Sequence, residues 1–164
     1  MKRVVCLILL VLTLASCKSK EKIEPKLNDI SFRAEISYYN EKYSAECIID
    51  NENVLRAVIK IPETLEGFTL TVSEKGITAE YLGIKYTPTD SNMPFAGVLE
   101  QTYDRLLEVT KSGTVKREDN TYKITVGEGA DKAVLSITEG GLPILLEIPD
   151  ERFFVEFYNV TILN

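Results

Sequence analysis

From Ile30 onward, apolar and polar residues alternate with a period of two along most of the chain, the pattern of strands with one buried face. Ile30, Phe32, Ala34, Ile36 and Tyr38 share one side of a first strand, with Ser31, Arg33, Glu35 and Ser37 on the other. Asn40-Glu41 predicts a tight turn into Tyr43, Ala45, Cys47 and Ile49, and Asp50 to Asn53 turns the chain back through Leu55, Ala57, Ile59 and Ile61. Phe68, Leu70 and Val72 extend this meander. A Glu74-Lys75-Gly76 turn leads to Ile77, Ala79 and Tyr81, and Gly83 sets off a short strand from Ile84 to Tyr86.

The segment from Pro88 to Pro94 interrupts the alternation, and after it the period changes to about 3.6. Phe95, Leu99, Thr102 or Tyr103, Leu106 and Val109 fall on one stripe, while Glu100, Asp104, Arg105 and Glu108 lie elsewhere, which predicts one amphipathic helix. Pro94 suits its first turn; Lys111 and Gly113 suit its last turn and its stop. Alternation then resumes in Tyr122, Ile124 and Val126, in Ala133, Leu135 and Ile137, in Leu142, Ile144, Leu146 and Ile148, and in Phe153, Val155 and Phe157. Turns are expected at Gly127 to Asp131, at Gly140-Gly141 and at Pro149-Asp150-Glu151.

The N-terminus follows a different rule. Lys2 and Arg3 precede an almost wholly apolar run from Val4 to Leu14, closed by Leu14, Ala15, Ser16 and Cys17. This resembles a bacterial lipoprotein signal peptide ending in a lipobox. The resemblance implies cleavage before Cys17 and a diacylglyceryl thioether on its sulfur, with residues 1–16 as the signal and the domain held on the extracytoplasmic face of a membrane. Such a run is short for a membrane span. Lys18 follows the cysteine where an aspartate would mark inner-membrane retention, so sorting to an outer membrane stays open; in a cell with one membrane the domain would face outward.

Residues 17–28 then read as the lipidated cysteine and a polar tether, and 29–164 as a single domain. The eleven residues Lys18 to Asn28 reach at most roughly 35 to 40 Å when extended. Lys18, Lys20, Lys22 and Lys26 outnumber Glu21 and Glu24, which suits either contact with anionic head groups or a plain solvated spacer. Losing Lys2 and Arg3 would take the net charge from −6 to about −8, a balance that disfavours nucleic acid as a partner. Cys6 leaves with the signal and Cys17 is consumed by lipid, so Cys47 has no disulfide partner and the fold must rest on its core.

Ten or so antiparallel strands spaced about 4.8 Å apart make a sheet roughly 45 to 50 Å wide, whereas a helix covers only about 10 to 12 Å. The sheet must therefore curl. The expected fold is mainly β (α+β): a curved antiparallel sheet of about 10–11 strands forming an incomplete barrel, with one principal helix packed on its concave face. Two readings of the interior remain open. Large side chains fill it, or it keeps a cavity for an acyl chain or other apolar ligand, lined by candidates Phe32, Ile36, Ile59, Phe68, Leu70, Tyr81, Leu99, Leu106, Leu142, Ile144, Phe153 and Phe157.

The closing segment, Gly140-Gly141-Leu142-Pro143, then Glu147 to Asp150, then Phe157, Asn159, Val160 and Asn164, is similar to the final hairpin of the periplasmic lipoprotein carrier, its outer-membrane receptor and related lipid-binding lipoproteins. The resemblance covers roughly Asp29 to Asn164. It implies an incomplete barrel closed by helices that shelters acyl chains. The family usually carries a further N-terminal helix, for which Lys18 to Asn28 is a poor match, and its lid-holding arginine has no counterpart here, since Arg33 and Arg56 fall on the polar face. Receptor-like members expose an apolar loop residue between early strands; Leu65, between Glu63 and Glu66, occupies a similar place, although folding back onto the core is the commoner fate of such a residue.

Catalytic designs are scarce. Without histidine there is no Ser-His-Asp triad, no Cys-His pair and no histidine-ligated metal. Cys47 falls on an inward strand face, as a small buried hydrophobe does. Glu63 and Glu66, Glu118 and Asp119, and Asp150 and Glu151 sit on turns or outer faces, where solvated charge is the ordinary state. Gly127-Glu128-Gly129 lacks the lysine and helix of a phosphate loop. The expectation is a lipid-anchored binding protein with no enzymatic activity, cofactor or metal, taking an apolar or lipid ligand; a cell-envelope interaction or scaffold lipoprotein with a filled core is the alternative.

Overall fold

The structure, a computed structural model, describes residues 23–87 and 94–163. The segment expected to be a signal, residues 1–16, and Cys17 lie outside the described residues. Six strands come first: β1 (Ile30–Tyr38), β2 (Glu41–Ile49), β3 (Leu55–Ile61), β4 (Thr69–Ser73), β5 (Gly76–Tyr81) and β6 (Ile84–Tyr86). Helix α1 (Pro94–Ser112) follows, and then β7 (Thr114–Glu118), β8 (Thr121–Val126), β9 (Ala133–Thr138), β10 (Pro143–Ile148) and β11 (Phe153–Ile162). All eleven strands join one antiparallel sheet in the order β6-β5-β4-β3-β2-β1-β11-β10-β9-β8-β7. The edge strands β6 and β7 do not pair with each other, so the sheet is not closed into a barrel.

The two halves are meanders that meet at β1, where Ile36 faces Tyr43 of β2 on one side and Val155 of β11 on the other. Because α1 joins the two edge strands, it must lie across the sheet. It touches β4 in the first half and both β8 and β9 in the second. A 19-residue helix is only about 28 Å long, so contact with both halves requires the sheet to wrap around it. Phe95, Ala96, Val98, Leu99, Thr102, Tyr103, Leu106 and Val109 form its buried stripe. The buried Thr102 hydroxyl donates to the Val98 carbonyl at 2.8 Å, which satisfies it within the helix.

The inward residues of the strands follow the alternation. Ile30, Phe32, Ala34 and Ile36 of β1 are buried, while Arg33 and Glu35 pair on the convex face, where the Arg33 guanidinium lies 5.3 Å from the Tyr158 ring. Arg33 thus holds no lid. Two irregularities shift faces. In β11, Asn159 takes a positive φ of 54° where the register against β1 slips between Ser31 and Arg33, bending the end of the strand. In β10, Pro143 faces Ile137 and Leu145 faces Ser136, so Ile144 is the extra residue of a bulge.

That bulge corrects two side-chain assignments. Leu142 and Ile144 do not continue the inward row of Leu146 and Ile148; both are half-buried and stand outside the core cluster. Strand β7 was not expected from periodicity, because Val115 is the sole apolar residue among Thr114–Glu118. The segment expected as a free tether is also corrected over its described part. Leu27 is buried, Ile23 packs against the core, and the Lys26 N–H donates to the Gly141 carbonyl at 2.8 Å.

Candidate ligand-binding site

The expected cavity-lining residues divide into two groups. Phe32, Ile36, Ile59, Leu70, Leu99, Leu106, Phe153 and Phe157 come together in one continuous buried cluster beneath α1. Aromatic contacts fill much of this region: Phe32 to Phe157 at 5.1 Å between ring centroids, and Tyr43 to Phe95 at 4.9 Å. The helix itself occupies the concave face. Phe68 is partly buried and packs against the edge of that cluster, and Tyr81 stacks on it at 4.3 Å while remaining exposed.

Leu65 is not an exposed tip. It lies in a single 3-10 turn, Glu63–Leu65, where its N–H donates to the Pro62 carbonyl at 2.9 Å, and its side chain is half-buried against the core. The exposed apolar tip is elsewhere. Leu82, 84% exposed, and Gly83 form the β5–β6 turn, both with positive φ as a two-residue hairpin of this hand requires, and Ile84 beside them is 71% exposed.

Open space lies at the other end of the molecule. A half-open cleft of about 800 Å³ runs between the C-terminal part of α1, the start of β7, the end of β11 and the strap formed by residues 23–29. Its floor is made by Val109 and Ile124, which are buried members of the core cluster, and Leu107, Val115, Ile162 and Leu163 add apolar walls. The size falls within the range of about 300 to 1,000 Å³ common for small-molecule sites.

Local sequence explains why the walls stand where they do. At Gly113 the helix stops and the chain turns into β7; the Gly113 N–H donates to the Val109 carbonyl at 3.2 Å. Hydroxyls of Thr110 and Ser112 donate back to the carbonyls of Leu107 and Glu108, which satisfies the hydroxyls within the last turns of the helix. The strap is held by its bond to Gly141 and by the Leu163 N–H donating to Asp29 at 2.6 Å. Gly141, with φ of 85°, lets the strap come close: a Cβ there would meet the Glu24 carbonyl oxygen at 2.6 Å.

The polar rim is balanced. Lys26 and Lys111 contribute positive charge, Glu24 and Asp29 negative, so the rim selects no one sign of head group. A second recess, about 410 Å³, lies along the outer face of α1 and is lined by Gly97, Glu100, Gln101, Asp104, Arg105 and Glu108. It is polar: Arg105 pairs with Glu108 at 2.8 Å and reaches Glu151 at 3.9 Å, while Gln101 donates to Glu151.

Burial pushes the Cys47 thiol up to about 12, and the thiol sits inward on β2. Glu118 is held below the usual carboxylate range by hydrogen bonds from Lys123 and Lys116 on the exposed sheet edge. Neither protein-family models nor curated protein sequences give a match to this chain. Among the described residues no helix is long and apolar enough to cross a membrane.

Sequence reasoning looked for a cavity in the concave face of the sheet and did not point to the cleft at the end of the helix. The available signals were faint. Ile23 and Leu27 are isolated in a charged stretch, Val115 is alone in its strand, and Ile162 and Leu163 follow a bulge that periodicity does not reveal.

Proposed function

We propose that this is a lipid-anchored envelope protein that binds an acyl chain, lipid or similar apolar ligand, entering through the cleft at the C-terminal end of α1. The observation that carries the reading is the floor of that cleft. Val109 and Ile124 belong to the core and stand beside Leu107, Val115, Ile162 and Leu163, so an apolar chain finds apolar surface there next to the polar rim. Further entry would follow the helix, whose displacement would open the concave face. The lipobox-like residues at Leu14 to Cys17 supply the anchor in this reading, and the resemblance to lipid-handling lipoproteins agrees with it. A second reading, an envelope interaction protein with a filled interior, is favoured by the continuous packing of Phe95, Tyr43, Phe32 and Phe157.

Displacement of a fluorescent fatty acid from the unlipidated domain, residues 18–164, separates the two. Saturable binding of one chain per protein is expected, and native mass spectrometry should find co-purifying lipid. Leu107→Arg places a charge on the apolar wall and should weaken binding roughly tenfold or more with the melting temperature retained. A folded domain that takes up no acyl probe leaves only the second reading.

A further inference from the structure

The apolar side chains left in water are not scattered evenly. Val115, Ile162 and Leu163 are exposed and rim one opening, the cleft, where partly buried Ile23 joins them from the strap. They come from three separate segments, brought together by the stop at Gly113, the bulge at Asn159 and the strap's bond to Gly141. Convergent apolar exposure of this kind marks a contact surface.

The chain outside the described residues says which surface. Upstream of Ile23, five residues separate the strap from Cys17, a reach of about 20 Å at full extension. An anchor at Cys17 therefore lies within about 20 Å of the strap that lines the cleft. We propose that the mouth of the cleft is the face by which the domain rests on the bilayer holding its anchor, so that an apolar ligand passes between lipid and protein without crossing water. This rests on the acyl-binding reading and on lipidation of Cys17.

Charge does little here. Lys26 and Lys111 can extend toward head groups, yet Glu24 and Asp29 share the rim, so the rim itself favours no lipid charge and docking depends on apolar contact and the tether. The competing surface is the β5–β6 hairpin with Leu82 and Ile84. It lies at the opposite end of the strands: the pairs Ile30 to Ile49, Leu55 to Val72 and Val72 to Ile77 mark the strap end, while Tyr81 to Ile84 closes the other.

The chain contains no tryptophan, so a single introduced indole reports its own depth. Ile162→Trp, Val115→Trp and Leu82→Trp would each be placed in the full lipidated protein on vesicles of phosphatidylcholine, and of phosphatidylethanolamine with phosphatidylglycerol, doped with brominated acyl chains. Blue-shifted, quenched emission from Ile162→Trp and Val115→Trp in both lipid mixtures, with Leu82→Trp unaffected, is the expected result. Quenching at Leu82→Trp alone, or at none of the three on vesicle-bound protein, overturns the docking face. Protein whose mass lacks a diacylglyceryl group on Cys17 overturns anchor and docking together, whereas acyl-probe binding by the unlipidated domain reports the ligand reading separately.

Discussion

The two halves of α1 solve the same covering problem differently. Toward its N-terminus Phe95, Ala96, Val98, Leu99, Thr102 and Tyr103 are all buried, and Phe95 meets Tyr43 ring to ring. Toward its C-terminus only Leu106 and Val109 are buried, and Leu107, Thr110 and Lys111 face the cleft. Residue size makes the difference. Aromatic rings from helix and sheet fill the first region, whereas Val109, Gly113, Val115 and Ile124 leave the second open. A single helix thus serves as core at one end and as the wall of a site at the other, which is how a narrow element can close a wide sheet incompletely without unfolding it.

The largest expected effect lies in the filled half. Phe95→Ala should remove about 3 to 5 kcal/mol of stability, measured by urea unfolding, because the ring is fully buried and its neighbours have no flexible replacement to offer. A loss below about 1 kcal/mol would mean the helix N-terminus is loosely seated and would erase the contrast. In the open half, Gly113→Ala tests how tightly the helix end is fixed. Its Cβ would lie 2.2 Å from Ile124 Cγ2 and 2.8 Å from the Val109 carbonyl oxygen. Relieving that clash moves the floor of the cleft, at a cost of about 1 to 3 kcal/mol and with weakened acyl-probe binding. Unchanged binding would detach the ligand from this end of α1.

Much of this contrast was invisible to pattern reading, and the reasons are physical. Alternation revealed ten of the strands and the helical stripe because one face of each is buried, and that burial is what periodicity records. Strand β7 escaped because a charged edge strand such as Thr114–Glu118 need not alternate; Lys116 and Glu118 pair along it instead. Leu142 and Ile144 were assigned inward by extending the row of Leu146 and Ile148 across a bulge that adds one residue and reverses the faces. The glutamate neighbours of Leu65 left both an exposed tip and a folded-back side chain open; Glu63 and Glu66 stay in water while a 3-10 turn folds the leucine back, the commoner fate of such a residue. The cleft is legible only once the strap is placed, since its walls come from residues more than a hundred positions apart, such as Ile23 and Ile162.

The outer face of α1 offers the smallest effect and the cleanest sign. Asp104 has its carboxyl held above the usual range, first by desolvation where it lies against the helix surface, with Arg105 opposing the shift. A carboxylate whose native pKa is raised binds its proton more tightly folded than unfolded. Its contribution favours the fold below the unfolded value of 3.8 and is lost as pH rises through the elevated native value. At pH 7 the ionised group therefore opposes folding. Asp104→Asn should stabilise the domain at pH 7 by no more than a few tenths of a kcal/mol, since the side chain is largely in solvent, and the gain should vanish as pH falls below about 4. Thermal melts of both proteins across that range measure it. A variant less stable at pH 7 would show that Asp104 serves a favourable ion pair with Arg105, and that the outer face of the helix, like its inner one, is organised by specific contacts.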